Sequence, residues 1–275
     1  MCSEDQLIDS HIQMPKVMLK RFHNKNHSFF YYDVEHKYIA THGRADSLNT
    51  EYGYYSIQIE HYLGENIETP LGKVLAYLDK IDFSQDEITV EEDFDDKKID
   101  HIVKDFAYSL MARDPTMFKE MQNNLIHGQF AAMFNQREHN QFVRAQHDFV
   151  AQHGFEIGKK NSMFSDHIVT FMLNQTEIPF VLPISGLYAF QLNGHICVNL
   201  PISSILSLCL VHNDDAESLI RDGKRLMYLV KEPETITFFN EMAFRRQVGT
   251  GLGYVVCPAR EELDRLKMKF VDERV

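Results

Sequence analysis

The chain has 275 residues, of which 44% are hydrophobic and 25% are charged, a composition typical of a globular protein with a hydrophobic core. Its 28 basic and 40 acidic side chains give a formal net charge of −12, which argues against nonspecific coating of nucleic acid, because such binding requires many cations. The most apolar stretch, residues 196–211, is interrupted by an asparagine, a proline and three serines, so it lacks the roughly 18 apolar residues of a membrane span.

The four cysteines are widely spaced and include no C-x-x-C pair, so we expect reduced thiols and no disulfide framework. Residues 1–5 are acidic and lack the basic start and apolar run of a signal peptide. These features predict a cytoplasmic protein without membrane association.

Apolar residues spaced by three and four predict amphipathic helices over much of the first half of the chain. Residues 15–22 are predicted to form a short helix with a proline in its first turn, where a missing N–H has no cost. Two strands around a polar turn follow, at residues 29–34 and 37–41. The longer predicted helices cover residues 57–81, residues 99–110 and residues from about 116 to 153.

The pattern changes near Asp166 to short runs rich in β-branched and aromatic residues, which predict strands. Asn193 and Gly194 lie between two of these runs and predict a hairpin. The predicted strands are 167–173, 178–184, 187–192, 195–200, 205–211 and 254–256, and two further helices are predicted at 233–247 and 259–270.

These elements predict an α+β fold in which long helices from the first half pack on a mainly antiparallel sheet from the second half. No linker rich in glycine, serine or proline separates the two halves. We therefore expect a single domain over residues 1–275, with one lobe over residues 1–165 and the other over residues 166–275.

The 14 histidines raise the question of a metal site, but the sequence contains no H-E-x-x-H motif. His139, His147 and His153 share one predicted helix, yet at 100° per residue they fan too widely for one tetrahedral ion. We expect them to be exposed to solvent, and the sequence predicts no metal site and identifies no cofactor.

Basic side chains concentrate near the N-terminus of this otherwise acidic chain. Lys16 and Lys20 are four residues apart, so a helix presents them on one side, with Arg21 adjacent. Such a surface is able to bind a phosphate-bearing ligand or an acidic partner. The alternative is a solvated helix whose charges pair with acidic neighbours. The whole cluster is His11, Lys16, Lys20, Arg21, His23, Lys25 and His27.

Several landmarks occur in an order that resembles the uncharacterised, mostly bacterial family catalogued as domain of unknown function 4238. The matching positions are Pro15, Leu19 and Phe22 in a P-x-x-x-L-x-x-F pattern, Glu60 and Glu68 in a helix with spaced glutamates, Arg113-Asp114-Pro115 as Arg-x-Pro, Pro179-Phe180-Val181, Pro201 to Ser204, Asn240, and Tyr254 to Pro258. The resemblance covers nearly the whole chain and implies an architecture, but no settled activity. This chain departs from the family at two places: Ile12 stands where the family has its usual histidine, with His11 one residue earlier, and Ile184 stands at the aspartate position.

Two functional hypotheses follow. In the first, the protein is a binding or regulatory module that recognises an anionic ligand or a protein partner through the basic N-terminal surface, with Lys20 and Arg21 at its centre. In the second, it is a hydrolase or nuclease-like effector that acts on a phosphate-bearing substrate. His11 is then the general acid or base, because histidine titrates near neutral pH, and Lys20, Arg21 and Arg113 hold the phosphate. Asn240 is a further candidate binding residue. The departures from the family favour the first hypothesis.

Overall fold

The structure is a computed structural model. The residues that it describes are 9–12, 14–43, 48, 50–85, 87–90, 93–94, 97–114, 136–161, 163–221 and 224–274. The first part of the helix predicted from about 116 to 153 therefore lies outside the described residues.

Helices are distributed along the whole described chain. The α-helices are α1 Lys16–Lys20, α2 Ile57–Leu63, α3 Thr69–Leu78, α4 Ile99–Ala112, α5 Gln136–Phe149, α6 Phe155–Asn161, α7 Asn213–Ala216, α8 Pro233–Thr250 and α9 Arg260–Phe270. Two π-helical turns, Gly64–Glu68 and Val150–Gly154, join α2 to α3 and α5 to α6. None of the described helices is long and apolar enough to cross a membrane.

The strands form two principal sheets and two short pairs. The strands are β1 Asp9–His11, β2 Phe29–Asp33, β3 Tyr38–His42, β4 Thr50–Tyr52, β5 Thr89–Val90, β6 Asp93–Phe94, β7 Lys97–Lys98, β8 His167–Asn174, β9 Leu182–Pro183, β10 Tyr188–Leu192, β11 His195–Pro201, β12 Leu206–His212, β13 Ile220–Arg221, β14 Lys224–Val230 and β15 Tyr254–Cys257. The larger sheet has the order β10-β11-β12-β8-β14-β13, with β5 added to β14. Its pairs are antiparallel except for β8 with β14, which run parallel.

The predicted hairpin is confirmed. Asn193 has φ 49° and Gly194 has φ 92°, and β10 and β11 pair on either side of them. Positive φ at both central residues is the geometry of a type I′ turn, which asparagine and glycine adopt most readily. The hairpin places His195 at the first position of β11.

The α+β class is confirmed, but the predicted arrangement of long helices in the first half is wrong. The longest described helix, α8, has 18 residues and lies in the second half, and α9 follows it. The predicted helix over residues 57–81 is divided by the π turn Gly64–Glu68. Apolar spacing indicates where a helix forms, but helix continuity depends on backbone hydrogen bonds that the spacing does not report.

The second sheet joins the two ends of the chain, which sequence periodicity does not predict. Its order is β3-β2-β15-β9, so the N-terminal hairpin pairs with a strand from near the C-terminus. Around it, α9 packs on β2 and β15, while α4 packs on β8 of the larger sheet. One hydrophobic cluster extends from Met14 to Phe270. This packing positions the C-terminal end of α4 beside the π turn Gly64–Glu68 that follows α2.

Candidate functional site

The residue that follows helix α4, Arg113, has a guanidinium enclosed by protein, with 1% of its side chain exposed. Its Nε donates to the backbone oxygen of Ser109 at 3.4 Å, and Nη1 lies 3.7 Å from Oε1 of Glu68. Nη2 is buried and has no hydrogen-bond partner among the residues that the structure describes. An unsatisfied buried donor is costly and uncommon in proteins, so this group marks a candidate site for an additional acceptor.

Glu68 faces Arg113 because of the π turn between α2 and α3. A π turn closes i→i+5 hydrogen bonds, so it inserts one residue relative to an α-helix. In a straight α-helix, Glu60 and Glu68 would lie about 80° apart around the axis. With the inserted residue, Glu68 takes the place of a residue seven positions after Glu60, within about 20° of it. The turn Gly64–Glu68 therefore brings both carboxyl groups to one side of the helix.

Glu60 is half-buried, and burial raises the pKa of its carboxyl above the usual range, because a low-dielectric environment disfavours the charged form. A hydrogen bond from Ser10 and the charge of Arg113 oppose this effect, whereas the charges of Glu68 and Asp148 add to it. Oε1 of Glu60 is buried and lacks a hydrogen-bond partner within the described part of the chain. A carboxyl that retains its proton at higher pH than an exposed one is suited to general acid–base catalysis.

Tyr55 connects this helix to the N-terminal strand. Its side chain is 1% exposed, its hydroxyl donates to the backbone oxygen of Ile12 at 3.0 Å, and its backbone N–H donates to Oγ of Ser10 at 3.4 Å. Burial raises the pKa of Tyr55 well above its usual value, so the phenol keeps its proton. These contacts hold strand β1, and with it the Ser10 hydroxyl, against Glu60.

The end of α5 contributes the last carboxylate. Oδ1 of Asp148 accepts a hydrogen bond from the backbone N–H of Ser56 at 2.9 Å. Next to it, His147 stacks on Tyr54 with ring centroids 3.8 Å apart. The expectation that His147 is exposed is wrong: it is 4% exposed, and burial lowers its pKa. An aromatic partner from a distant segment covers it, which helical spacing alone does not reveal.

These side chains form what we call the Arg113 cluster: Arg113, Glu60, Glu68, Asp148, Ser10 and Tyr55. The cluster contains one guanidinium and three carboxyl groups, and its protonation state depends on Glu60. Exposure increases from 1% at Arg113 to 34% at Glu68, so the cluster is open to solvent on the Glu68 side. The arrangement is able to bind an anionic oxygen at the guanidinium and to transfer a proton at Glu60.

A cavity of about 570 Å³ lies beside the end of α4, between β10 and α8. Asp114, the residue after Arg113, lines this cavity. Its Oδ2 forms an ion pair with Nη2 of Arg246 at a distance of 3.0 Å. Most of its other lining side chains are apolar, including Leu110 and Met242. Its volume is within the range of small-molecule sites. The chain therefore has space for an organic group next to the end of α4.

Of the residues predicted as site members, Arg113 is at the centre of the cluster. His11 directly follows Ser10, which is a member of the cluster. His11 ends strand β1, paired with Thr50, one residue after Ser10. The side chain of His11 lies outside what the structure describes.

The basic N-terminal surface differs from its prediction at Arg21. The guanidinium of Arg21 donates to both carboxylate oxygens of Asp79, at 2.6 and 2.7 Å, and its Nε donates to the backbone oxygen of Ile202 at 2.9 Å. Lys20 is exposed at the end of α1. Arg21 therefore joins α1 to two other segments, and Lys20 is the residue of this pair that faces solvent.

Asn240 lies on α8 and is 1% exposed. Its Oδ1 accepts from the backbone N–H of Val181 at 3.0 Å, and its Nδ2 donates to the backbone oxygen of Pro179 at 2.9 Å and to Oε1 of Glu262 at 2.8 Å. The amide thus holds the segment before β9 against α8 and α9. These partners are separate from the members of the Arg113 cluster.

Sequence reasoning missed five members of the cluster as site residues: Glu60, Glu68, Asp148, Ser10 and Tyr55. The available signal was a pair of glutamates in an otherwise amphipathic helix. In a continuous α-helix a spacing of eight residues separates two side chains by about 80°, so apolar periodicity does not show that the two glutamates share one side. Burial of Glu60 depends on β1 and α5, which lie far away in sequence.

No protein-family model matches this chain, and comparisons with curated proteins and with solved structures found no similar protein. The resemblance to domain of unknown function 4238 therefore stays a prediction. Two of its landmarks meet in space: Glu68, in the helix with spaced glutamates, and Arg113 of the Arg-x-Pro motif.

Proposed function

We propose that the protein is an acid–base hydrolase that acts on a phosphate-bearing substrate at the Arg113 cluster. The observation that carries this proposal is the juxtaposition of a buried, incompletely hydrogen-bonded guanidinium with a half-buried carboxyl of raised pKa. Perturbed titratable groups next to a specific charge partner occur preferentially at functional sites. Each group has a distinct role in such a reaction.

Arg113 binds a phosphate oxygen, for which a guanidinium N–H is a strong donor. Water attacks phosphorus as the ester P–O bond breaks, and Glu60 gives its proton to the leaving oxygen. The attacking water then returns a proton to Glu60, so the side chain regains its starting state. Burial raises the pKa of Glu60, the charge of Glu68 adds to this effect, and the hydrogen bond from the Ser10 hydroxyl opposes it.

Hydrolysis of p-nitrophenyl phosphate and of bis(p-nitrophenyl) phosphate tests this proposal, with circular dichroism as the folding control. Glu60→Gln preserves shape but removes the proton, so we expect turnover to fall by about 10²- to 10⁴-fold. The matched control is Glu65→Gln, on the same π turn but exposed, which should leave turnover unchanged. A folded Glu60→Gln protein with full turnover, or a wild-type protein inactive on both esters, contradicts the hydrolase.

A second candidate function, a non-catalytic module that binds an anion at the basic N-terminal surface, is favoured by the exposure of Lys20. Titration with inorganic phosphate separates the two. A module at this surface loses affinity in Lys20→Ala and retains it in Glu60→Gln. A hydrolase centred on the Arg113 cluster is unaffected by Lys20→Ala.

A further inference from the structure

Three histidines meet at one end of the larger sheet, remote from the Arg113 cluster. His167 begins β8 and pairs directly with His212 at the end of β12, with ring centroids 5.8 Å apart. His195, placed by the type I′ turn at the start of β11, stacks on His212 with centroids 4.0 Å apart. Strand register therefore gathers side chains from three strands that are far apart in sequence.

Two aspartates from the first turn of α7 face these rings. Oδ2 of Asp215 lies 2.7 Å from Nδ1 of His195, and Nδ2 of Asn193 donates to Oδ1 of Asp215 at 2.8 Å. Oδ2 of Asp214 lies 3.5 Å from Nδ1 of His212. Each of the two stacked histidines thus has its own carboxylate.

We infer that His195, His212 and Asp214 form a binding site for a divalent transition metal of the zinc class, with Asp215 as the residue that orients His195. One potential ligand atom from each of the three lies within 4.8 Å of the others. Within the described part of the chain, this is the one group of three or more histidine, cysteine or acidic side chains that meets this condition.

The distances and the hydrogen bonds fit this chemistry. Two ligands of a tetrahedral zinc ion lie about 3.3 Å apart, close to the 3.5 Å between Oδ2 of Asp214 and Nδ1 of His212. The lone pair of this Nδ1 accepts a hydrogen bond from the backbone N–H of Asp214 at 3.3 Å, which a bound metal ion would replace. A carboxylate only accepts hydrogen bonds, so Nδ1 of His195 is protonated and donates the hydrogen bond to Asp215. Nε2 of His195 therefore keeps its lone pair for a metal. A carboxylate behind a metal-binding histidine is the usual arrangement of such ligands.

One local movement is required for binding. A metal ion lies near the plane of each imidazole that ligates it, so the stacked rings of His195 and His212 must turn apart. Their side chains are 38% and 24% exposed, which leaves room for this rotation and for entry of the ion. Two imidazoles and one carboxylate select zinc over magnesium or calcium, which prefer oxygen ligands.

The metal site is independent of the proposed hydrolase. Asp100, at the start of α4, accepts a hydrogen bond from the backbone N–H of Val169, two residues after His167. Arg113 lies at the other end of the same helix, about 20 Å away at 1.5 Å per residue. An ion here joins the β10–β11 hairpin to the end of β12 and the start of α7, and we assign it a stabilising role.

Zinc titration of the full chain tests the site, with a chromophoric chelator as the competitor. Substitution with Co²⁺ reports tetrahedral geometry through the visible absorption of the bound ion. We expect one equivalent to bind, with affinity lost at least 100-fold in His195→Ala and His212→Ala. Asp215→Asn should weaken binding by about 10- to 100-fold, because it removes the orienting carboxylate. Mg²⁺ should not compete.

The matched control is His153→Ala. His153 is also a partly exposed histidine beside a carboxylate, with Nδ1 3.6 Å from Oε2 of Glu156, but it is not part of the three-residue group. Its zinc affinity should equal that of wild type. Two further readouts need no variant. Zinc should raise the melting temperature of the wild-type protein, and it should protect His195 and His212 from acylation by diethylpyrocarbonate. Absence of zinc binding up to about 100 µM, or binding that survives the double change His195→Ala and His212→Ala, overturns the inference.

Discussion

Asp100 and Arg225, which are 125 residues apart in the chain, form a bidentate ion pair in which Nη2 donates to Oδ2 at 2.9 Å. Nη1 donates to Oδ1 of Asp100 and, at 2.6 Å, to the backbone oxygen of Val169. Both side chains are largely buried, with 6% of Arg225 and 13% of Asp100 exposed. The pair joins the start of α4 to the parallel strands β8 and β14.

Asp100→Ala should destabilise the protein by about 3–5 kcal/mol, because it leaves the buried charge of Arg225 without its carboxylate. Urea unfolding measures this loss. The matched control is Asp264→Ala, which breaks the exposed pair with Arg260 and should change stability by less than about 1 kcal/mol. If the two changes lowered the free energy of unfolding equally, the buried pair would contribute no more to stability than the exposed one.

Phe22→Ala should also lower the free energy of unfolding by about 3–5 kcal/mol. Leu19 in α1 and Phe22, two residues after the end of α1, are both 0% exposed. Val17, on the same helix, is 38% exposed, so Val17→Ala should have an effect of about 0.5 kcal/mol or less. An unchanged melting temperature in Phe22→Ala would mean that α1 does not contribute to the core.

Asn240→Ala should destabilise the protein by roughly 1–3 kcal/mol for each buried backbone group that loses its partner. The groups affected are the N–H of Val181 and the carbonyl of Pro179. Asn66→Ala is the matched control, because Asn66 is exposed and, within the described part of the chain, its side chain donates a single hydrogen bond, to the backbone oxygen of Tyr62. Thermal unfolding of both variants measures the difference. A melting temperature of Asn240→Ala equal to that of wild type would argue that Asn240 has a role other than stabilising the fold.

The pH dependence of stability should report Glu60. Burial raises its folded-state pKa above the value of 4.5 expected in the unfolded chain, so the folded protein holds the proton more strongly. The resulting stabilisation is complete below pH 4.5 and is lost as the pH rises through the folded-state pKa. Urea unfolding between pH 4 and pH 8 should therefore show wild type losing stability relative to Glu60→Gln. The control, Glu65→Gln, should have the same pH profile as wild type. Identical pH profiles of wild type and Glu60→Gln would mean that the pKa of Glu60 is not raised by folding.

We expect the lobes over residues 1–165 and 166–275 to unfold together. Strand β15 pairs with β2, and the ion pair of Asp100 with Arg225 also crosses the boundary between the lobes. Differential scanning calorimetry should give equal calorimetric and van't Hoff enthalpies, as a single cooperative transition requires. Two separate transitions would divide the chain into independent units.

Local signals in the sequence were sufficient for much of the secondary structure. Pro15 marks the start of α1, and the Asn193-Gly194 turn marks the hairpin between β10 and β11. Apolar spacing also located α4. Each of these features depends on a few neighbouring residues, because a cap, a turn or an amphipathic face is determined within about one or two helical turns.

Tertiary structure alone decided which residues meet. Glu68 shares one side of the helix with Glu60 only because of the π turn between them, and the burial of Glu60 depends on β1 and α5. His195 reaches His212 only through strand register. Arg21, a predicted binding residue, also forms an ion pair with Asp79, which is 58 residues away in the chain. Such contacts depend on burial and pairing between segments far apart in the chain. A charged side chain has the same local pattern whether it faces solvent, a partner residue or a ligand, so the sequence by itself determined the elements, and packing determined the sites.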